Sequence, residues 1–176
     1  RIAALQQKAG DRAVFHVARG VMALRQNDSK TAEAELKTAV AIEPKSALAQ
    51  TYMGGFYAER GSNALAEPYL KSAADLSPIR SQRRLRYATF KAQTEGVAAA
   101  KPIVTEITSK APDFTPGWLA SARLNLSQTN FAECANDLKH ALNRDPQNYD
   151  ALMLRSDLEL AQGKPEDAIK TLESLA

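Results

Sequence analysis

Pro44, Pro78, Pro112 and Pro146 stand 34 residues apart, three times over without a slip. A period of that length marks a supersecondary unit used repeatedly, and it limits the chain to array-like folds if neighbouring positions keep the same period. They do. Five positions ahead of the prolines lie Ala39, Ala73, Ile107 and Ala141, and eight ahead lie Leu36, Leu70, Val104 and Leu138. Twelve ahead lie Ala32, Ala66, Ala100 and Cys134, and twenty-four ahead Gly20, Gly54, Ala88 and Ala122. One further step along these columns gives Ser156, Ala168, Leu172 and Leu175. Small and large residues therefore recur at fixed places.

Within a unit the apolar spacing is helical. Val14, Val17, Val21 and Leu24 mark one face of a helix over 13–26. Asn27-Asp28-Ser29 supplies a turn and an N-cap, since these side chains bond nearby backbone groups. A second helix over 30–43 stops ahead of Pro44, because proline disfavours helical geometry in the residue before it. The same order predicts helices over 47–60 and 64–76 around Gly61-Ser62, and over 81–93 and 97–109. It predicts another over 116–128, with Thr115 as N-cap and Pro116 in the first position. Asn130, three before Glu133, reads as a capping box for the next helix; spans 149–162 and 165–175 flank Gly163. Residues 1–9 read as the end of an earlier helix, stopped by Gly10-Asp11. Pro68 and Pro102 fall in matching places near the start of second helices, where proline is tolerated. The small columns mark close helix crossings, so Ala66→Leu is expected to overpack one and cost roughly 1–3 kcal/mol.

These columns resemble the tetratricopeptide repeat, a helix–turn–helix unit, over essentially the whole chain. The resemblance rests on the small residues of both helices and the closing proline; Trp118 and Tyr57 match the family's tryptophan and first-helix tyrosine. His16, Gln50, Arg84 and Leu152 depart in the Trp118 column, and Ile107 and Leu175 replace a small residue late in the second helix. The resemblance implies an all-α, right-handed superhelical solenoid of antiparallel helix pairs. It would form a single array over 1–176: residues 1–12 ending a preceding repeat, full repeats at 13–46, 47–80, 81–114 and 115–148, and a truncated one at 149–176. The Ala-rich style is similar to that of bacterial arrays.

Composition narrows the function classes. At 176 residues, 44% hydrophobic and 24% charged, the chain has the proportions of one domain. It holds no apolar run near the roughly 20 residues that span a bilayer, so membrane insertion is not expected. It opens on Arg1 and stops before the next proline is due, and is expected to be a fragment of a longer array. The single cysteine excludes an internal disulfide and is compatible with the cytoplasm or a bacterial periplasm. Residues 1–132 carry 18 basic and 11 acidic side chains and residues 133–176 carry 5 and 9, so a net charge of +7 is followed by one of −4. Such asymmetry can orient a charged partner.

By the resemblance, first helices line a concave groove. Its inward columns hold Val17, Leu85, Leu119 and Met153, with Tyr52, Arg86, Val21, Arg123 and Asp157 beside them. This is expected to be an apolar trough for a peptide or partner helix. Aspartate at Leu85 or Leu119 is expected to remove binding and spare helicity. The positions of the family's carboxylate clamp are filled by Val17, Val21, Tyr52, Gln82 and Arg86, of which only the last fits, and no asparagine ladder is present. Arg80, Arg83 and Arg84, at i, i+3 and i+4, are a candidate anion patch on one face. The basic footprint is too narrow, and too poor in interleaved aromatics, for nucleic acid.

Catalytic signals are weak. His16 and His140 sit in unrelated columns, no metal-ligand spacing or phosphate-cradling loop occurs, and no cofactor is expected. Cys134 occupies a packing column and reads as a buried thiol. The sequence thus favours a non-catalytic scaffold for a protein or peptide partner. A structural spacer or self-association module, forming a homo-oligomer, is the second class, and the recruiting arm of an enzyme the third.

Overall fold

A computed structural model describes residues 11–175. The expected helix over 1–9 lies outside them. Among the described residues there are ten helices and no strand. They are α1 (Ala13–Arg25), α2 (Ser29–Ile42), α3 (Ala47–Ala58), α4 (Asn63–Asp75), α5 (Gln82–Glu95), α6 (Val97–Lys110), α7 (Thr115–Ser127), α8 (Phe131–Arg144), α9 (Tyr149–Ala161) and α10 (Pro165–Glu173). Each helix predicted within this range forms, with ends within about two residues of the expected ones. The chain divides into two compact units, one ending at Tyr87 and the other starting at Ala88.

In the first unit α1 packs on α2, α3 on α4, and α3 also on both α1 and α2. The glycine column explains how closely. A Cβ built on Gly20 would lie 2.9 Å from Leu36 Cγ, and one on Gly54 would lie 2.7 Å from Leu70 Cγ. Only glycine lets those leucines sit over the facing helix. Opposite them Ala32, Leu36, Ala66 and Leu70 are buried, as is the Ala100–Val104 and Cys134–Leu138 series of the second unit. In that unit α7 packs on α8 and α9 on α10, while α7 also meets α6 and α9, and α8 meets α9.

The structure corrects several local expectations. The buried stripe of α1 is Ala13, His16, Val17, Gly20 and Ala23, whereas Val14 is exposed. The small residues, not the valines, give the closest approach. Phe114, not Thr115, is the N-cap of α7, and Thr115 begins the helix. Asn130 caps α8 by position, but its side chain makes no cap bond, so the capping box does not close. Asp28, Ser46 and Asn148 do cap, accepting from the backbone N–H of Thr31, Ala49 and Ala151. Pro68 and Pro102 lie in the second turn of their helices, one turn further in than a terminal proline. Both are exposed, so the carbonyls they release are left to water.

Turns follow a column too. Asn27, Gly61, Thr129 and Gly163 share one and all have positive φ, the left-handed geometry that closes a helix end. The third repeat shifts this residue by one, to Gly96 (φ 90°), which lengthens α5 to Glu95.

Candidate partner-binding surface

Two polar columns fix the first helices on which the surface is built. In the tryptophan column, Trp118 Nε1 donates to the Pro112 carbonyl at 2.8 Å and Gln50 Nε2 to the Pro44 carbonyl at 2.7 Å. Arg84 Nε reaches the Ser77 carbonyl, one residue before Pro78, at 3.3 Å. Three unlike side chains thus tie a first helix to the turn that precedes it. His16 departs, since its Nδ1 and Nε2 lie 2.6 and 2.8 Å from Glu35 and Asp11. The second column runs through Tyr57, Asn125 and Glu159 and meets residues 12 positions later on the paired helix. Tyr57 stacks on Tyr69 with ring centroids 5.9 Å apart. Asn125 donates to Asp137 at 2.8 Å, and Glu159 accepts from Thr171 at 2.7 Å.

Burial sorts the candidate surface residues. Val17, Leu85 and Leu119 are buried at 4, 9 and 5% exposure, so these three are packing residues of the first helices rather than the lining of an open trough. Leu119 belongs to a core cluster with Leu138, Leu154 and Leu158. An aspartate at Leu85 or Leu119 therefore meets the core first. Val21 and Met153 are half-buried, and Tyr52, Arg86, Arg123 and Asp157 are exposed.

In the first unit the arginines of α5 reach back over α3. Arg83 Nε donates to Thr51 Oγ1 at 3.0 Å, and Thr51 Oγ1 donates in turn to the Ala47 carbonyl. Arg86 lies over Gly55, with an Nη atom 2.6 Å from where a Cβ would be. Gly54 and Gly55 thus serve two neighbours, Leu70 and Arg86. That adjacent glycine pair is the sequence signal for the arginine seat. The three-arginine patch does not share one helical face. Arg80 lies before α5, which begins at Gln82, while Arg83 and Arg84 turn to Thr51 and to Ser77. In the second unit, Arg123 of α7 and Asp157 of α9 occupy one column with opposite charge.

Groups with reactive side chains are absorbed by packing. The Cys134 thiol is fully buried, and burial, with Asp137 adding to it, pushes its pKa up to about 11. His140 stacks on Trp118 with ring centroids 4.1 Å apart. Among the described residues, no group of three or more His, Cys, Asp or Glu is placed to hold a metal ion. No described helix is long and apolar enough to cross a membrane.

Tetratricopeptide-repeat family models match residues 17–78 and 125–176, which together are more than half of the chain. The chain belongs to the tetratricopeptide-repeat family. Among curated proteins no sequence matches it. Solved structures match closely in fold. YrrB, described as a TPR protein with an unusual peptide-binding site, is 14% identical, with a TM-score of 0.65 over 99% of this chain and 90% of that one. PilF of Pseudomonas aeruginosa is 20% identical, with a TM-score of 0.73 over 97% of this chain and 78% of its own. MamA of Desulfovibrio magneticus RS-1 is 15% identical, with a TM-score of 0.70 over 94% of each chain. At these identities the likeness is one of fold: an all-α helical repeat.

Proposed function

We propose that this tetratricopeptide-repeat chain is a non-catalytic interaction scaffold, a single array of the repeats set out above. It takes a peptide or partner helix on the exposed faces of its first helices. In the first unit Tyr52 and Arg86 are the residues that meet a partner; in the second, Arg123, Met153 and Asp157 are the corresponding ones. The observation that carries this reading is the seat of Arg86, whose guanidinium lies over Gly55 while the residue stays exposed. Tyr52, one turn away on α3, is 39% exposed. A planar cation held on a flat backbone seat suits a carboxylate-bearing segment, which Arg recognises through paired N–H donors. YrrB, which shares the fold, is described as having a peptide-binding site, and this supports a peptide as the kind of partner.

The test is a panel of fluorescent peptides, acidic, neutral and basic, titrated against the protein and its variants. Arg86→Glu is expected to weaken the acidic peptides about tenfold, or roughly 1.4 kcal/mol, with helicity unchanged. Tyr52→Ala should act in the same direction for all peptides. Equal binding of the three classes, or an Arg86→Glu variant that binds as well as the parent, refutes the assignment.

A further inference from the structure

The junction between a second helix and the first helix after it is closed at α2–α3 and open at α8–α9. At α2–α3 the space is filled from α3 by Met53, Phe56 and Tyr57, which are 0, 4 and 8% exposed. Two side chains then bridge the helices. Tyr57 Oη donates to Glu33 Oε1 at 2.9 Å, and Arg60 Nη2 donates to Ser29 Oγ at 2.7 Å. The Arg60 guanidinium also lies 3.8 Å over the Phe56 ring. Three repeats later the columns of Met53, Phe56 and Tyr57 hold Arg155, Leu158 and Glu159. Those of Glu33 and Ser29 hold Ala135 and Phe131, which offer no side-chain acceptor, so neither bridge has a counterpart. Arg155 turns along its own helix to Glu159, and its side chain is half exposed.

What is left is a cavity of about 750 Å³ walled by α8, α9 and the start of α10. That is within the roughly 300–1,000 Å³ of small-ligand sites. Its three walls are all present, and the space comes from bulk lost between them. Buried Leu138 and Leu158, with half-buried Leu142, give it an apolar lining. Exposed Lys139 and Lys164 line it from α8 and from the residue before α10. The acids of the cavity are already engaged. Glu159 Oε1 accepts from Arg155 Nε at 2.8 Å and its Oε2 from Thr171 at 2.7 Å, while Asp167 Oδ1 lies 3.8 Å from Lys170 Nζ. Neither the Lys139 nor the Lys164 side chain forms an ion pair among the described residues. Two unneutralised ammonium groups thus flank an apolar lining, in a stretch, 133–176, whose net charge is −4.

We propose that this cavity is a binding site for a small anionic amphiphile, a compact aromatic or aliphatic body bearing one carboxylate-like group. The body lies against Leu138, Leu142 and Leu158, where burial of apolar area supplies the affinity. Lys139 and Lys164 hold the anion, since the flexible lysine stem lets both ammonium groups reach one charge from two walls. The site lies in the second unit and is independent of the Arg86 surface in the first.

The test uses anilinonaphthalene sulfonate, an aromatic dye with one anionic group that brightens in apolar surroundings. The protein should bind it saturably. Octanoate should displace the dye, whereas octylamine, of equal chain length and opposite charge, should not. Lys139→Glu with Lys164→Glu should raise the apparent Kd for the dye at least about tenfold. Both sites are exposed, and circular dichroism checks that the variant folds. An equal charge change at Arg144 and Lys110, outside the cavity, should leave the dye within about twofold of the parent. Ala135→Phe, which puts bulk back between α8 and α9, should weaken the dye and octanoate alike. A parent that does not bind the dye overturns the proposal. So does binding that survives the lysine changes, or that falls as far with the changes at Arg144 and Lys110. Displacement by octylamine equal to that by octanoate overturns it as well, because the site would then be apolar only.

Discussion

Two junctions in the second unit solve one packing problem in opposite ways. Between α8 and α9, Ala141 and Ala151 are both fully buried in one core cluster, two small residues at the close point. Between α6 and α7, the same two columns hold Ile107 and Gly117. Ile107 is fully buried, and its Cγ2 lies 2.8 Å from where a Cβ on Gly117 would be. Bulk added on one helix is removed from the other. The isoleucine that departs from the family's small residue is therefore no irregular junction, because the compensation sits ten residues later in the turn of the next helix. What the repeat holds constant is the space between helices, not the residue in either column.

This comparison breaks most sharply at Ile107. Ile107→Ala empties a fully buried site and should cost about 2–5 kcal/mol. Gly117→Ala in the parent forces a Cβ into the isoleucine and should cost about 1–3 kcal/mol. In the Ile107→Ala background the same glycine change should reverse sign, since the space is free and alanine gains about 1 kcal/mol of helix propensity over glycine. Urea denaturation of the four proteins measures the cycle. If Gly117→Ala remains destabilising once Ile107 has been shortened to alanine, the two residues do not compensate and the junctions differ for another reason.

How far the sequence reaches is visible in these columns. The period, the ten helices and the closing prolines were legible because they depend on chain-local signals: apolar spacing, Pro geometry and small residues at crossings. Which column members are buried was not. Val17 and Leu119 have the look of groove lining only while the neighbouring first helix is out of sight, since α1 meets α3 and α7 meets α9, and burial there is a property of two helices together. The failed capping box at Asn130 has a similar cause. A motif names donors and acceptors, but the Asn130 side chain makes no cap bond in the fold. The seats of Arg83 and Arg86 required knowing that α5 reaches over α3.

The cross-helix column extends the comparison from space to polarity. Tyr57 and Tyr69 meet there by stacking, while Asn125 and Asp137 meet through a buried hydrogen bond. Asn125→Ala strips one donor from a buried carboxylate and should cost about 1–3 kcal/mol. Asp137 also has a pH signature. Burial raises its pKa above the ordinary 3.8, against the lowering effect of Ser121 and Asn125. A raised carboxylate pKa means the folded state holds the proton more tightly. That stability is present below the unfolded pKa and is lost as pH rises through the folded value. Asp137→Asn removes the titration, so its stability relative to the parent should improve from acid to neutral pH. Thermal melts across that range check the slope; a flat difference would mean that the hydrogen bonds, not burial, govern the site.

The smallest effect belongs to the turn-tying column, and there the sizes of the donors mislead. Trp118, Gln50 and Arg84 differ greatly in volume, yet each gives one N–H to a carbonyl at or beside the closing proline. Pro44 and Pro112, which accept from Gln50 and Trp118, are exposed, so water can replace those two donors when they are removed, whereas Ser77, which accepts from Arg84, is buried. Trp118→Phe keeps an aromatic ring for His140 to stack on and loses only the Nε1–H, for an expected cost of about 1 kcal/mol or less. Gln50→Leu, which copies what Leu152 already does in the same column, should cost no more. Denaturation midpoints measure both. A much larger loss at Trp118 than at Gln50 would show that the indole holds α7 by its bulk rather than by its bond. The tryptophan column would then be a packing column like the alanines, and the equivalence of its three donors would fall.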